Sequence, residues 1–344
     1  MSFPMLAIGM VLASLLLSAG VVRLAIGYAH RRGMLDHPGY RRSHVLPTPR
    51  GGGIGVVAAV LATVPACLLL LPAAWPVTLV AGLAAAFVLV ALVGWLDDHR
   101  SLPVLPRFGV QLLAAALFSG LLLGTGPSWW WWWPLLVVAG AWSVNLHNFM
   151  DGIDGLLAQQ GVFVATGLAV LAGLAGQPAL STACVCTATA CGGFWCYNRS
   201  PARIFMGDVG SGSLGLLLFM LIAMLWRTEH RLLWPALILC SAFVTDASLT
   251  LLSRMQRGRR WYHAHREHLY QWMVRKGCSH TGGVARYLGW NLLVALPLAA
   301  ASLFVPGMAL PFCVVAYLAA AATWLALKRR LLRRNLHKVR HVAT

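Results

Sequence analysis

Apolar residues in this chain come in long blocks separated by short polar or turn-like stretches. Eleven blocks predict helices, at approximately 3–25, 54–71, 77–96, 108–123, 135–150, 157–175, 180–197, 213–226, 232–252, 287–304 and 308–327. Most approach the ~20 residues that cross a ~30 Å hydrocarbon layer. A backbone in lipid must satisfy its own hydrogen bonds, so the pattern predicts helical spans rather than an open sheet. The expected architecture is an all-α polytopic membrane protein of about eleven transmembrane helices. One domain, 1–327, is followed by a basic tail, 328–344, that anionic lipid would attract.

Composition agrees with the pattern. Of 344 residues 59% are hydrophobic and 10% charged, too little polar surface for a soluble protein of this size. Residues 1–20 carry no basic segment ahead of the first block, so no cleavable signal peptide is expected. The net charge of +18 would suggest nucleic acid in a soluble chain, but topology explains it here. Loops after the first, third, fifth, seventh and ninth blocks, with the tail, hold 24 of the 27 Lys and Arg residues. The positive-inside rule makes that face cytoplasmic, with the N-terminus outside and the C-terminus inside. No nucleic-acid partner is expected; the partner is the bilayer. The tryptophans 129–133 read as an interfacial anchor. The eight cysteines, seven of them in or near apolar blocks, read as small core residues without a disulfide framework or zinc site.

The nine acids then become informative. Asp36, Asp97, Asp98, Asp151, Asp154, Asp208 and Glu267 fall at the basic face, Asp246 falls within a block, and Glu229 alone falls at the other face. Ionisable residues beside a membrane span mark function. Residues 145–156 read N-L-H-N-F-M-D-G-I-D-G-L, with Asp151 and Asp154 spaced to face one ligand from adjacent turns. Asp97 and Asp98 are adjacent carboxylates, for which Mg²⁺ with phosphate oxygens is a hard-ligand partner. Asp208 sits among Gly207, Gly210, Gly212 and Gly215 with Ser211 and Ser213 at a predicted helix start, a pattern that suits phosphate and its metal. The G-K-[ST] ending of a nucleotide-hydrolase loop is missing. Arg50 before three glycines suits an anion, as do His263, His265 and His268 among arginines.

These stretches together resemble a family. Asp97-Asp98, residues 148–155, residues 206–211 and the histidine loop are similar to the polyprenyl-phosphate N-acetylhexosamine-1-phosphate transferases, over 36–277. P-T-P-R-G-G-G at 47–53 and H-R-E-H-L-Y-Q at 265–271 resemble the branch that initiates bacterial O-antigen. The His-x-His-His motif of close relatives stands here as His268-Leu269-Tyr270-Gln271. The resemblance implies a bacterial inner-membrane enzyme with a cytoplasmic site. It would move an N-acetylhexosamine 1-phosphate from a UDP-sugar to undecaprenyl phosphate, releasing UMP and starting a lipopolysaccharide chain. Mg²⁺, with Mn²⁺ as substitute, would be held by Asp208, then Asp151 and Asp154. Asp97 or Asp98 would serve as base on the lipid phosphate, although that phosphate, with a second pKa near ~6, is already largely dianionic. Asp151, Asp154 and His268 join the catalytic set. Asn148, Arg50, His44, Gly210, Ser211, His263, His265 and Arg266 would bind substrate. The sugar, a one-step or covalent course and a homodimeric state stay open at this stage. A transporter with a carboxylate-lined site is the competing class, but it should carry acids at mid-span. A CDP-alcohol phosphotransferase would need further close-spaced aspartates, and the next acid after Asp154 is Asp208.

Overall fold

A computed structural model describes residues 3–36, 47–124, 127–259, 265–305 and 307–340, with side chains left out of the description at 127–129 and 333–340. The helices are α1 (Phe3–Arg32), α2 (Ile54–Leu70), α3 (Val77–His99), α4 (Val104–Leu123), α5 (Trp133–Phe149), α6 (Leu156–Leu174) and α7 (Pro178–Asn198). They continue as α8 (Asp208–Thr228), α9 (Leu233–Leu239), α10 (Ser241–Gln256), α11 (Leu269–Arg275), α12 (His280–Trp290), α13 (Leu296–Phe304) and α14 (Ala309–Arg340).

Each of the eleven apolar blocks is helical, but they differ as spans. Among the described residues eight helices are long and apolar enough to cross a membrane. A ninth candidate is broken, α9 meeting α10 at 71°. The remaining two blocks give α2 and α5, each 17 residues, at the short end of the spanning range. The block at 287–304 starts earlier, at His280, and contains a π-helical turn at Asn291–Ala295. No break follows residue 327: α14 runs on to Arg340, and Lys328 is buried with its ammonium 4.0 Å from the Trp324 ring.

α8 is the axis of the bundle. In its apolar window 94% of residues are buried, against 22% in α1 and α14. Small residues let neighbours close on it. A Cβ at Gly94 of α3 would collide with the Asp208 carbonyl, and one at Gly53 would collide with the Gly210 backbone. Helices packed by close backbone approach are typical of membrane bundles. Large apolar side chains remain exposed on the outer helices, such as Leu16 and Leu24 of α1 and Leu318 of α14, as lipid-facing surfaces require.

The first polar loop holds the only strand pairing among the described residues. β1 (Leu35–Asp36) pairs antiparallel with β2 (Thr48–Pro49), matching Asp36 to Thr48. Phe205 donates its amide to Pro49, and Gly52 and Gly53 donate to the Phe205 and Met206 carbonyls. Two loops distant in sequence are thereby laced together at the start of α8.

Candidate active site

Polar groups from these loops meet in a cleft of about 500 Å³ at the Asp208 end of α8. Its walls include Asp36, Arg50, Asp98, Asp151, Phe205, Asp208, Arg266, Gln271 and Arg275. Glu229 follows the opposite end of α8, about 30 Å away along 21 residues. The acid segregation read along the chain is therefore real in space.

Asp98, at the last turn of α3, is 3% exposed, and its two oxygens accept the Asp208 and Val209 amides at 3.1 Å each. A carboxylate from another helix thus satisfies the first donors of α8 and complements its dipole. Arg50 donates to the Asp98 backbone carbonyl at 2.5 Å. Asp97 turns the other way, accepting Leu102 N at 2.6 Å and Arg107 Nη1 at 2.5 Å. Arg107 also reaches Asp208 Oδ2 at 3.0 Å, while Asn148 donates to Asp208 Oδ1 at 2.8 Å and to Ser211 at 3.2 Å. Arg107 is a site residue that the motif reading missed.

Asp151 and Asp154 separate where the helix ends. α5 stops at Phe149, and a non-helical stretch leads into α6. Asp151 lines the cleft, and burial, reinforced by the Asp208 and Asp98 charges, pushes its carboxyl up to about 8. Asp154 is not among the cleft-lining residues. Its carboxylate lies 3.1 Å from His280 Nδ1 and accepts the Ala202 amide at 3.2 Å. Burial raises its carboxyl, but the hydrogen bond and charge of His280 outweigh it and hold the group below the usual carboxylate range. Asp154 is a joint between the 150–155 turn, the 199–207 loop and α12.

The glycine-rich segments also differ from the reading of them as a phosphate cradle. Gly52 and Gly53 spend their amides on backbone carbonyls, and those of Gly210 and Ser211 go to the Gly207 carbonyl. Ser211 and Gly210 are buried. These residues bring helices together rather than facing a ligand. Gly207 has the clearest need for its identity: its φ is +75°, and a Cβ there would lie 2.5 Å from Asp98 Oδ2. Gly207→Ala is expected to cost about 1–3 kcal/mol and to depress activity with it, read as a lower melting temperature in detergent.

Of the candidate histidines, His44 in the first loop and His263 in the 257–268 loop lie outside the described residues. His265 is half-buried and stacks on His268 at 5.0 Å between ring centres. Burial, helped by His268 and Arg254, lowers His265 to about 4. His268 is 2% exposed and is not among the cleft-lining residues, which does not fit direct contact with substrate. Arg266 does line the cleft, as do Gln271 and Arg275 of α11. Arg254 and Arg259 both pair with Glu267, Arg259 at 2.8 Å, and hold its carboxyl low against the opposing effect of burial.

Comparison with known proteins fits this geometry. Residues 80–226 match the glycosyl transferase family 4 model, a span carrying Asp97, Asp98, Asp151, Asp154 and Asp208. The decaprenyl-phosphate N-acetylglucosaminephosphotransferase of Mycolicibacterium smegmatis is 31% identical over 88% of this chain and 84% of its own. The chain belongs to the polyprenyl-phosphate hexosamine-1-phosphate transferases. The transferase of the same name from Mycobacterium tuberculosis is 30% identical over 84% of this chain and 80% of its own. A phospho-N-acetylmuramoyl-pentapeptide-transferase of Synechococcus is 35% identical, over 48% of this chain and 50% of its own. Family membership rules against the transporter reading. The family match ends before 265–275, the segment whose arginines line one wall of this transferase's cleft.

One stability prediction arises from the Asp154–His280 pair. An acid with a lowered folded pKa stabilises the fold above its unfolded value, near ~3.8, and loses that contribution as pH falls through the folded value. His280→Gln is expected to cost about 1–3 kcal/mol at pH 7. The gap in melting temperature from wild type should close as the pH drops below ~4.

Proposed function

We propose that this transferase moves an N-acetylhexosamine 1-phosphate from a UDP-sugar to a polyprenyl phosphate, releasing UMP at the cytoplasmic face of a bacterial inner membrane. The observation that carries the reading is the shared cleft, in which Asp98, Asp151 and Asp208 face Arg50, Arg266 and Arg275 at one end of a membrane bundle. A lipid phosphate oxygen forms a bond to the sugar-bearing phosphorus. The bond from that phosphorus to the bridging oxygen breaks, and its electron pair leaves on UMP.

The residues fit a hard divalent cation. Among the described residues no three His, Cys, Asp or Glu side chains form a ready metal cage. Mg²⁺ does not need one, because it binds through one or two carboxylates together with substrate phosphate and water. Asp208 and Asp151 supply that number, and burial, followed by the nearby Asp208 and Asp98 charges, pushes the Asp151 carboxyl up. When bound, Mg²⁺, or Mn²⁺ in its place, would offset phosphate charge during an in-line displacement. The protein's own groups do the rest. Arg50, Arg266 and Arg275 orient phosphates by charge-assisted hydrogen bonds. Arg107 and Asn148 fix the Asp208 carboxylate, and Asp98 holds the end of α8 beneath it.

Purified protein incubated with UDP-GlcNAc and polyprenyl phosphate should release UMP and form a lipid-linked diphosphate sugar. Absence of both products with every UDP-amino-sugar would overturn the reading. Comparing C50 with C55 acceptors separates a decaprenyl preference, as in the mycobacterial relatives' names, from the undecaprenyl preference of an O-antigen initiator. Orientation is tested at Cys278, half-buried in the turn between α11 and α12. A membrane-impermeant thiol reagent should label it in inverted vesicles and not in right-side-out ones.

A further inference from the structure

The transfer reaction as derived leaves a second buried carboxylate unused. Asp246 stands in the second turn of α10, past the 71° break, and is 2% exposed. Its Oδ1 accepts Leu269 N at 2.9 Å, Trp324 Nε1 at 2.9 Å and the Thr250 hydroxyl at 3.1 Å. Its Oδ2 accepts the Tyr287 hydroxyl at 2.7 Å. One side chain therefore joins α10 to the start of α11 and to α12 and α14.

Loss of this carboxylate would leave four buried donors without their acceptor, so joining the helices is already a substantial structural role. A second observation points to more. His268, the N-cap residue of α11, has Nδ1 buried 3.9 Å from Asp246 Oδ1, with no hydrogen bond to it among the described residues. The His268 ring is stacked against His265 at 5.0 Å, Phe149 at 5.8 Å and Tyr270 at 6.0 Å. Tyr270 donates to the Phe149 carbonyl at 2.9 Å, two residues before Asp151. Arg266, two residues before His268, and Gln271 and Arg275, after it on α11, line the cleft.

We propose that Asp246 is a positioning residue of this transferase: by holding the start of α11 and fixing the His268 ring with Nδ1 toward its carboxylate, it sets the wall that presents Arg266, Gln271 and Arg275 to substrate phosphate. The proposal rests on the transferase reading above. A neutral imidazole carries one N–H, and the tautomer placing it on Nδ1 avoids setting a lone pair against the carboxylate. Burial lowers the His268 pKa; the Asp246 charge opposes this, Glu267 adds to Asp246, and Lys328 and Arg254 act with burial. Replacing Asp246 by Asn removes the opposition, so the ring stays neutral while its tautomer preference relaxes.

The test uses full-length protein in detergent, with ¹⁵N-histidine NMR for the tautomer, steady-state transfer kinetics and thermal melting. The His268 signal is assigned by its loss in His268→Gln. Asp246→Asn should convert His268 from the Nδ1–H form to a mixture and lower kcat at least about tenfold, the scale of a displaced positioning group. Tyr287→Phe and Trp324→Phe each remove one other donor from the same carboxylate; they should keep the tautomer and remain within about twofold of wild-type kcat. Asp246→Glu retains the charge one methylene further out and should fall between these sets. It carries the comparison alone where the Asn variant does not fold, and a kcat equal to that of Tyr287→Phe then overturns the proposal. An unchanged His268 tautomer in Asp246→Asn, or equal kcat losses across the Asn and Phe variants at equal melting temperatures, also overturns it. Wild-type protein that transfers no sugar phosphate counts against the transferase reading instead, while the NMR signal still reports whether Asp246 fixes His268.

Discussion

Asp208→Asn is expected to reduce transfer by a factor on the order of 10³, the cost of removing a major electrostatic group from a reacting site. The substitution keeps the shape of the side chain but withdraws the charge that the proposed cation requires. It also introduces a donor where two already point: Asn148 Nδ2 sits 2.8 Å from one oxygen and Arg107 Nη2 3.0 Å from the other. An amide offers only one acceptor atom, so one of these donors loses its partner. The backbone amide of residue 208 still reaches Asp98, so the start of α8 and membrane insertion should survive. The measurement is UMP release beside a thermal melt in the same detergent. A folded Asp208→Asn variant with near-normal turnover would remove Asp208 from the centre of the reaction.

The second large effect concerns the cation. Excess chelator should abolish transfer, with recovery on adding Mg²⁺ and recovery of a similar kind on adding Mn²⁺. Two acidic side chains can bring such an ion to the cleft only with help from substrate phosphate, so tight binding should require the UDP-sugar. Calorimetry should therefore show weak Mg²⁺ binding to the free protein and stronger binding with nucleotide sugar present. Full turnover in chelator would contradict the assignment.

Much of this arrangement could be read from the chain, and the failures have identifiable causes. Each apolar block proved helical, because lipid permits few other solutions, but block length missed α11 (Leu269–Arg275), which lies outside every block. It could not show that the block at 232–252 is bent, since α9 and α10 remain apolar across the break at Cys240. The position of the acids foretold the cleft, and Asp98, Asp151 and Asp208 do meet there. Spacing misplaced Asp154, because i,i+3 geometry holds only within a helix and the helix ends at Phe149. Glycines near serines read as an anion cradle, yet Gly53 and Gly210 are pressed against each other. Pattern cannot separate a glycine that admits a ligand from one that admits another backbone. Arg107 escaped notice because it lies ten residues beyond Asp97, across the turn from α3 into α4. A second arginine following the acidic pair, after Arg100, was the available signal.

The shortness of α5 has a consequence for the lipid. Seventeen residues of helix span about 25 Å, several ångströms less than a ~30 Å hydrocarbon layer. Leu135 and Val138 on that helix are exposed, so it offers a face to lipid, and local thinning of the bilayer is one way a short span is accommodated. Phe149 ends the helix two residues before Asp151, so a bilayer thinned there would bring headgroups toward the carboxylates. A long-chain acceptor can then offer its phosphate to the reaction while its isoprenoid units stay immersed in oil.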